Sequence, residues 1–268
     1  MRNPELQFGW VTLLLCGYLV WEGWEKKPAA RLEWTGGNVV IGLVGLTVLF
    51  LTQLYQAALG MTPASMSGLG AGVLLVIIAN LNYAFGSAGV RHFGFAAAFI
   101  LLSLPPPAVL STPIVTGLQS AVATINVEVL NLLGIPAHKL GSVIQLPNCN
   151  VGVDDACSGI RSLQSTIMAT LFIGHLTLRR NSFRAVLFLS GIALAIAGNL
   201  ARSLFLSFSA HAGGVEAIHA YHDAAGWSIL IFTATGVVLL SWWLDKLERS
   251  LHKQNPTATA ESRPAKNA

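Results

Sequence analysis

Charged residues are scarce in this chain. Asp, Glu, Lys and Arg together make up 10% of its 268 residues, whereas hydrophobic residues make up 53%, and the mean hydropathy is +0.62. Soluble domains carry about 25% charged residues, so this composition excludes a soluble domain and predicts a multi-pass membrane protein. A glycine-rich phosphate loop and internal repeats are also absent from the sequence. The net charge of +4 lies largely in short loops and the tail, which gives no support to nucleic-acid binding.

Apolar runs recur along the chain and predict an all-α membrane bundle of seven or eight transmembrane helices. The first run is short, so it is a tilted span or an interfacial segment; a signal peptide is rejected because no basic start and no small-residue cleavage site are found. The run at 113–133 is interrupted by polar residues and is expected to lie at the interface or to re-enter. The runs are 8–22, 38–58, 67–84, 92–110, 113–133, 158–178, 185–206 and 226–244.

Lysine and arginine in the short loops predict the orientation, because such residues stay on the cytoplasmic side. Arg179, Arg180 and Arg184 mark one cytoplasmic loop. The helices on either side then place residue 157, residue 202 and the segment 207–225 together on the outer face. If 113–133 does not span, the N-terminus is external. Residues 1–250 are expected to form one helical membrane domain, and 251–268 a disordered cytoplasmic tail.

Cysteine is also rare, with three in the chain, and one of them stands where a helix should begin. Cys157 lies in the run Asp154-Asp155-Ala156-Cys157-Ser158-Gly159-Ile160-Arg161, immediately before an apolar stretch. A helix N-terminus favours thiolate over thiol, and Arg161, four residues on, shares the same helical face. Cys157 is therefore a candidate nucleophile. Two alternatives stay open: a small packing residue, as expected for Cys16, or a disulfide with Cys149.

Two later segments carry further candidates. Arg202 closes an apolar helix, where an ionisable group is costly and usually functional, and Asn199 shares its face; the alternative is an arginine that reaches out to the interface. His222, followed by Asp223, lies in a segment with three histidines and is a candidate general acid and base. A metal site is the other interpretation of that segment, and its ligands would be Glu216, His219 and His222.

Three motifs in this order resemble the exosortase/archaeosortase family of membrane cysteine transpeptidases. Upstream segments at 104–107, 134–136 and 141–147 are also similar to the run-up to the exosortase cysteine, and the resemblance covers about residues 100–244. The three motifs are Ala156-Cys157-Ser158-Gly159-Ile160-Arg161, Asn199-Leu200-Ala201-Arg202 and His222-Asp223-Ala224-Ala225-Gly226-Trp227.

The resemblance implies a catalytic site of Cys157 as nucleophile, His222 as general acid and base, and Arg202 as the stabiliser of the oxyanion. Its implied substrates are exported proteins with a C-terminal signal, which consists of a Pro-Glu-Pro-like motif, a transmembrane helix and a basic cluster. The acyl acceptor is left open between a polysaccharide and a lipid, and no cofactor or metal is implied. Supporting roles fall on Arg161, Ser158, Asn199 and Asp223.

The implied location is the bacterial inner membrane, with bilayer lipid around the chain and the site on the periplasmic face. Two other classes of function compete with this one. A metal-dependent membrane hydrolase would use the Glu216, His219 and His222 set, and a small-solute transporter would place paired ionisable residues in mid-membrane.

Overall fold

The structure is a computed structural model that describes residues 9–104, 108–153 and 159–254. The chain divides into two compact units, residues 1–115 and 116–268. The boundary between them falls inside a helix, α4 (Ala108–Leu132). The second unit contains most of the predicted site.

The first unit is built from three helices: α1 (Gly9–Trp24), α2 (Gly36–Leu59) and α3 (Pro63–Phe99), which continues into a 3-10 turn at Ile100–Ser103. The start of α3 shows why the helices begin where they do. The Thr62 hydroxyl accepts from the N–H of Ser65, and the Ser65 hydroxyl accepts from the N–H of Thr62. With Pro63 at the first helical position, this is a complete capping box.

The second unit contains the rest of α4, three strands, and two helices that run to the end of the described chain. The strands are β1 (His138–Leu140), β2 (Val143–Gln145) and β3 (Asn150–Gly152), and the helices are α5 (Gly159–Thr177) and α6 (Asn181–Gln254). Helix α6 is broken at Gly214, where φ is 68° and ψ is −161°. Only glycine adopts this backbone region readily. The break separates an N-terminal arm, residues 181–213, from a C-terminal arm, residues 215–254.

The three strands form an antiparallel sheet in the order β1-β2-β3. Gly141, at φ 63°, opens the two-residue turn between β1 and β2, as expected for a type II′ hairpin. One face of the sheet is buried, with Ile144 and Val151 fully enclosed. They belong to a core cluster with residues of α4 and of both α6 arms, including Leu130, Leu206 and Ala225. The hairpin is therefore fixed to the helices by a one-sided apolar face.

Helix α5 packs antiparallel against the N-terminal arm of α6. A Cβ on Gly191 would press on Thr170 and lie 3.3 Å from Thr166 Cγ2, and a Cβ on Gly174 would lie 3.3 Å from Leu187 Cδ2. Glycine therefore allows a close approach at these points. At the turn between the two helices, the Glu248 carboxylate accepts from the backbone N–H groups of Arg179 and Arg180, at 3.0 and 2.7 Å.

All eight apolar runs fall largely on helical segments, once α3 is divided at its own break, Gly86, and α6 at Gly214. The all-α class is confirmed, with the small sheet as an unpredicted addition. Four helices of the described chain are long and apolar enough to cross a membrane: Gly36–Leu59, Pro63–Ser103, Ser111–Leu132 and Asn181–His252. The count of seven or eight spans stays a prediction. Ser111–Leu132 is among the four although the sequence favoured a non-spanning role for it.

Candidate functional site

The N-terminal and C-terminal arms of α6 meet through Arg202 and His222. Arg202 Nη2 lies 3.2 Å from His222 Nε2 and 3.4 Å from the His222 carbonyl oxygen. The glycine break at Gly214 lies between the two residues and lets the C-terminal arm return along the N-terminal arm. Two of the three predicted catalytic side chains are therefore in direct contact, although 20 positions separate them in the sequence.

The contact with Arg202 favours one tautomer of His222. A guanidinium only donates hydrogen bonds, so this contact is a hydrogen bond when Nε2 accepts and the ring proton lies on Nδ1. His222 Nδ1 lies 3.2 Å from Asp223 Oδ1 and donates to it. The imidazole is thus oriented by Arg202 on one side and Asp223 on the other. The Asp223 side chain is 94% exposed and that of His222 38%, so solvent screens the carboxylate strongly.

Small and buried neighbours shape the space around the guanidinium. Gly226 lies beneath it, since a Cβ there would come 3.4 Å from Arg202 Nη2. Asn199, one turn before Arg202, is buried. The predicted proximity of Asn199, Arg202, His222 and Asp223 along one part of α6 therefore has a structural basis, while their catalytic roles remain predictions.

A buried polar pair that the sequence analysis missed lies next to Arg202. Asn126 Nδ2, on α4, donates to Ser203 Oγ at 2.6 Å, and both residues are fully buried. An amide and a hydroxyl in an apolar core must pair to offset their lost hydration. This bond fixes the rotation of the N-terminal arm about its axis at the residue that follows Arg202. The polar interruption of the 113–133 run was the only signal in the sequence.

The loop between β2 and β3 is attached to the end of the N-terminal arm. Asn148 Nδ2 donates to the His211 carbonyl at 3.2 Å, and Cys149 Sγ donates to the Ala210 carbonyl at 3.7 Å. These carbonyls belong to the last turn of the arm, where helical partners run out. Cys149 is a free thiol, and because Cys157 lies outside the described residues, the alternative of a disulfide between the two stays open. Burial raises the pKa of the Cys149 thiol above its ordinary value.

The remaining predicted residues divide into two groups. Cys157 and Ser158 lie outside the described residues, as does the side chain of Arg161, so their positions are untested. Glu216 and His219 are described and exposed. Within residues 9–104, 108–153 and 159–254, no three His, Cys, Asp or Glu side chains converge in a way that could hold a metal. His222 instead accepts from a cationic group, which disfavours it as a ligand in this arrangement.

Comparison with known families identifies the chain. The family model described as transmembrane exosortase matches residues 1–240. The chain belongs to the transmembrane exosortase family. No curated protein matches it, and no solved structure does. As an exosortase it is a multi-pass membrane protein of protein sorting, in a family of proteases or transpeptidases that act on exported proteins with a sorting signal.

Proposed function

We propose that this exosortase is a cysteine transpeptidase of the bacterial inner membrane that removes the C-terminal sorting signal of exported proteins and transfers them to an acceptor. The signal would be a Pro-Glu-Pro-like motif, an apolar span and a basic cluster, and the acceptor a polysaccharide or a lipid. Cys157 would be the nucleophile, His222 the general acid and base, and Arg202 the group that stabilises the oxyanion. The observation that carries the proposal is the Arg202–His222 contact in a chain of this family.

Helix register supports a place for Cys157 close to this pair. Gly191 packs between Thr166 and Thr170, and seven residues, or two turns, lead from Thr166 back to Gly159 at the start of α5. The same two turns along the antiparallel N-terminal arm lead from Gly191 to Gly198, one turn before Arg202. Covalent geometry keeps the Cα of Cys157 within about 7 Å of that of Gly159. Cys157 is therefore joined by a short link to a helix start that is about one turn from the level of Arg202.

The chain that enters the Cys157 segment from the other side is anchored in the same core. Val153, four residues before Cys157, is buried and donates its backbone N–H to the Ser142 carbonyl at 2.9 Å. It shares a core cluster with Leu206 and Ala225, one turn from Arg202 and His222 respectively. The nearest described residues on both sides of Cys157, Val153 and Gly159, thus belong to elements that pack against those carrying its proposed partners.

Bond by bond, the Cys157 thiol would pass its proton to His222, and the resulting thiolate would attack the carbonyl carbon of the scissile peptide and form a tetrahedral intermediate with a negative oxygen. When the C–N bond breaks, the amine leaves with a proton from His222, and the exported protein remains as a thioester on Cys157. His222 would then take the proton of the acceptor nucleophile as it attacks the thioester, which releases the thiolate. Atoms and charges balance without a cofactor.

The Arg202–His222 contact would link two events of the reaction: uptake of the thiol proton by His222 and stabilisation of the oxyanion by Arg202. In the structure His222 Nε2 accepts from Arg202 Nη2 at 3.2 Å. Once Nε2 takes the thiol proton, it can no longer accept, because an imidazolium only donates. The guanidinium is then released at the moment when a negative oxygen forms. Donors of this kind are worth about 100- to 1000-fold in rate.

The length of the N-terminal arm of α6 supports the proposed position of the site on the periplasmic side of the membrane. Arg202 is 21 residues beyond Asn181, which corresponds to about 32 Å of helix. The hydrocarbon core of a bilayer is about 30 Å thick. The arginine-rich turn at 179–184, held by Glu248, and the Arg202–His222 pair therefore lie at opposite ends of a membrane-length bundle. With the basic turn in the cytoplasm, the site would face the periplasm.

The decisive experiment is single substitution of each proposed catalytic residue in cells that carry an exported reporter with the Pro-Glu-Pro-type signal. Cys157→Ala and His222→Ala should abolish processing, and Arg202→Ala should slow it by about 100- to 1000-fold. Matched controls are Cys149→Ala and His219→Ala, which should process the reporter normally. A covalent enzyme–reporter adduct that hydroxylamine releases would demonstrate the thioester. Normal processing by Cys157→Ala in membranes would disprove cysteine catalysis.

A further inference from the structure

The direction of the backbone groups in β3 follows from two hydrogen bonds at its ends. Leu146 N donates to Cys149 O at 2.9 Å, and Val153 N donates to Ser142 O at 2.9 Å. In an antiparallel pair, hydrogen-bonded and non-hydrogen-bonded positions alternate. Residues 149, 151 and 153 therefore direct their backbone N–H and C=O groups toward β2, in the register that pairs Val151 with Ile144.

Asn150 and Gly152 occupy the non-bonded positions of that register, opposite Gln145 and Val143. Their N–H and C=O groups point away from β2, toward the outer edge of the sheet. Because β3 is the last strand in the order β1-β2-β3, no further strand of the described chain pairs with that edge. The outer edge of β3 thus offers two donor–acceptor sets about 6.8 Å apart, which is the spacing of alternate residues in an extended peptide.

The opposite edge of the sheet is protected. Lys139 is the corresponding outward-facing residue of β1, opposite Ile144. Its ammonium donates to Ser120 Oγ and Thr124 Oγ1, each at 2.7 Å, which places a charge on that edge. A lysine on an edge strand discourages pairing with another chain. Strand β3 carries no charged residue, so the two edges differ in their capacity to accept a further strand.

We infer that the outer edge of β3 binds an extended segment of the exported substrate as a fourth strand, through the backbone groups of Asn150 and Gly152. The inference rests on the proposed function, since the occupant is the polypeptide that Cys157 would cleave. Backbone pairing of this kind supplies affinity without reading side chains. It holds the peptide extended, as a scissile bond must be for attack by a nucleophile.

Position in the chain favours the substrate over other occupants. Gly152 and Asn150 are five and seven residues before Cys157, so covalent geometry alone keeps their Cα atoms within about 18 and 25 Å of the Cα of Cys157. The inner face of the strand is fixed, because Val151 and Val153 are fully buried. A peptide paired with β3 would thus be held at a constant distance from the Arg202–His222 pair, whose neighbours share the same core cluster.

A photo-crosslinking experiment tests binding separately from catalysis. A photoreactive amino acid is placed at Asn150 or at His138 in full-length Cys157→Ala protein, expressed with the reporter. The two positions lie on the same face of the sheet at opposite edges, since both pair with Gln145. An adduct with the reporter should form at position 150 and be at least several-fold weaker at position 138. Equal adducts, or an adduct of two copies of this chain at position 150, would overturn the inference.

A proline substitution tests the backbone groups themselves. Asn150→Pro removes an outward N–H and leaves the ladder to β2 intact, as proline requires at an edge, whereas Asn150→Ala keeps that N–H. Loss of one net hydrogen bond should raise the KM of the Pro variant over the Ala variant by about 2- to 10-fold, with kcat nearly unchanged. The matched control is the pair Lys139→Pro and Lys139→Ala, whose KM values should be nearly equal.

The two experiments separate the inference from the proposed function. If Cys157→Ala still processes the reporter, the mechanism fails, whereas a crosslink confined to position 150 would still support the binding edge. Conversely, the enzyme could need Cys157 and still show the same ratio of Pro-variant KM to Ala-variant KM at positions 150 and 139. That result would disprove substrate binding at the β3 edge and leave the proposed mechanism unaffected. Membrane content of each variant, measured by immunoblot, excludes a folding defect as the cause.

Discussion

Arg202 donates to the Nε2 atom of His222 at 3.2 Å, across a helix break that makes α6 fold back on itself. In that bond Nε2 accepts, and Nε2 is also the atom that would take up the proton in the proposed mechanism. A cation and a potential cation in contact would repel if His222 were charged. The tautomer that accepts from Arg202 is the one that the proposed first proton transfer would require.

The exposed carboxylate of Asp223 should matter much less than Arg202. Its side chain is 94% exposed, so water screens its contact with His222. We expect Asp223→Asn to lower the processing rate by less than about 5-fold. Arg202→Lys keeps the charge but loses the planar fork, so its rate should fall between those of the wild type and Arg202→Ala. Reporter processing measures both; a loss in Asp223→Asn as large as in His222→Ala would contradict this ranking.

The buried bond between Asn126 and Ser203 should be visible as a coupling energy. A double-mutant cycle of Asn126→Ala and Ser203→Ala is expected to give about 1 kcal/mol of coupling in the free energy of unfolding, measured in mixed micelles. Ser209 provides the control, because its hydroxyl donates only to the Phe205 carbonyl of its own helix. A coupling between Asn126 and Ser203 no greater than that between Asn126 and Ser209 would show that the bond does not contribute.

Cys149 and Cys157 should differ in reactivity. Burial raises the pKa of the Cys149 thiol, so at neutral pH the fraction of thiolate is lower than for an ordinary cysteine and alkylation is slower. We expect Cys157, in a Cys16→Ser/Cys149→Ser background, to react with maleimide faster than Cys149 in a Cys16→Ser/Cys157→Ser background. The comparison is made by mass shift in membranes, and unfolding the protein should remove the difference. Faster labelling of Cys149 in the native state would contradict it.

Gly214 should be far less replaceable than an ordinary helical glycine. Gly214→Ala forces a side chain into a backbone region that costs about 1–3 kcal/mol, and the straightened helix would separate Arg202 from His222. We expect loss of processing and reduced accumulation in the membrane. Gly117→Ala is the control, because a Cβ at Gly117 would meet nothing within 4 Å; it should be neutral or stabilising. Equal behaviour of the two variants would show that the break is not required.

Local patterns were sufficient for the helices and insufficient for the sheet. Long apolar runs report burial in lipid over many residues, so every run fell largely on a helix. Each strand is three residues long, too short for alternation of apolar and polar residues to be recognised. The same limit applies to the two glycine breaks, because an apolar run does not record whether the helix continues straight or turns back at a glycine.

The sequence by itself determined the membrane environment and the helical class, because composition and apolar periodicity are local properties, and it supplied the candidates for the site. Tertiary structure decided which polar groups meet. His219 and His222 are three residues apart and share one side of a helical projection, yet one is exposed and the other contacts Arg202. Asn126 pairs with Ser203 across 77 positions. Such contacts depend on how the helices pack against one another, and a buried polar group is stable only where that packing gives it a hydrogen-bond partner. A local sequence pattern contains no information on that packing.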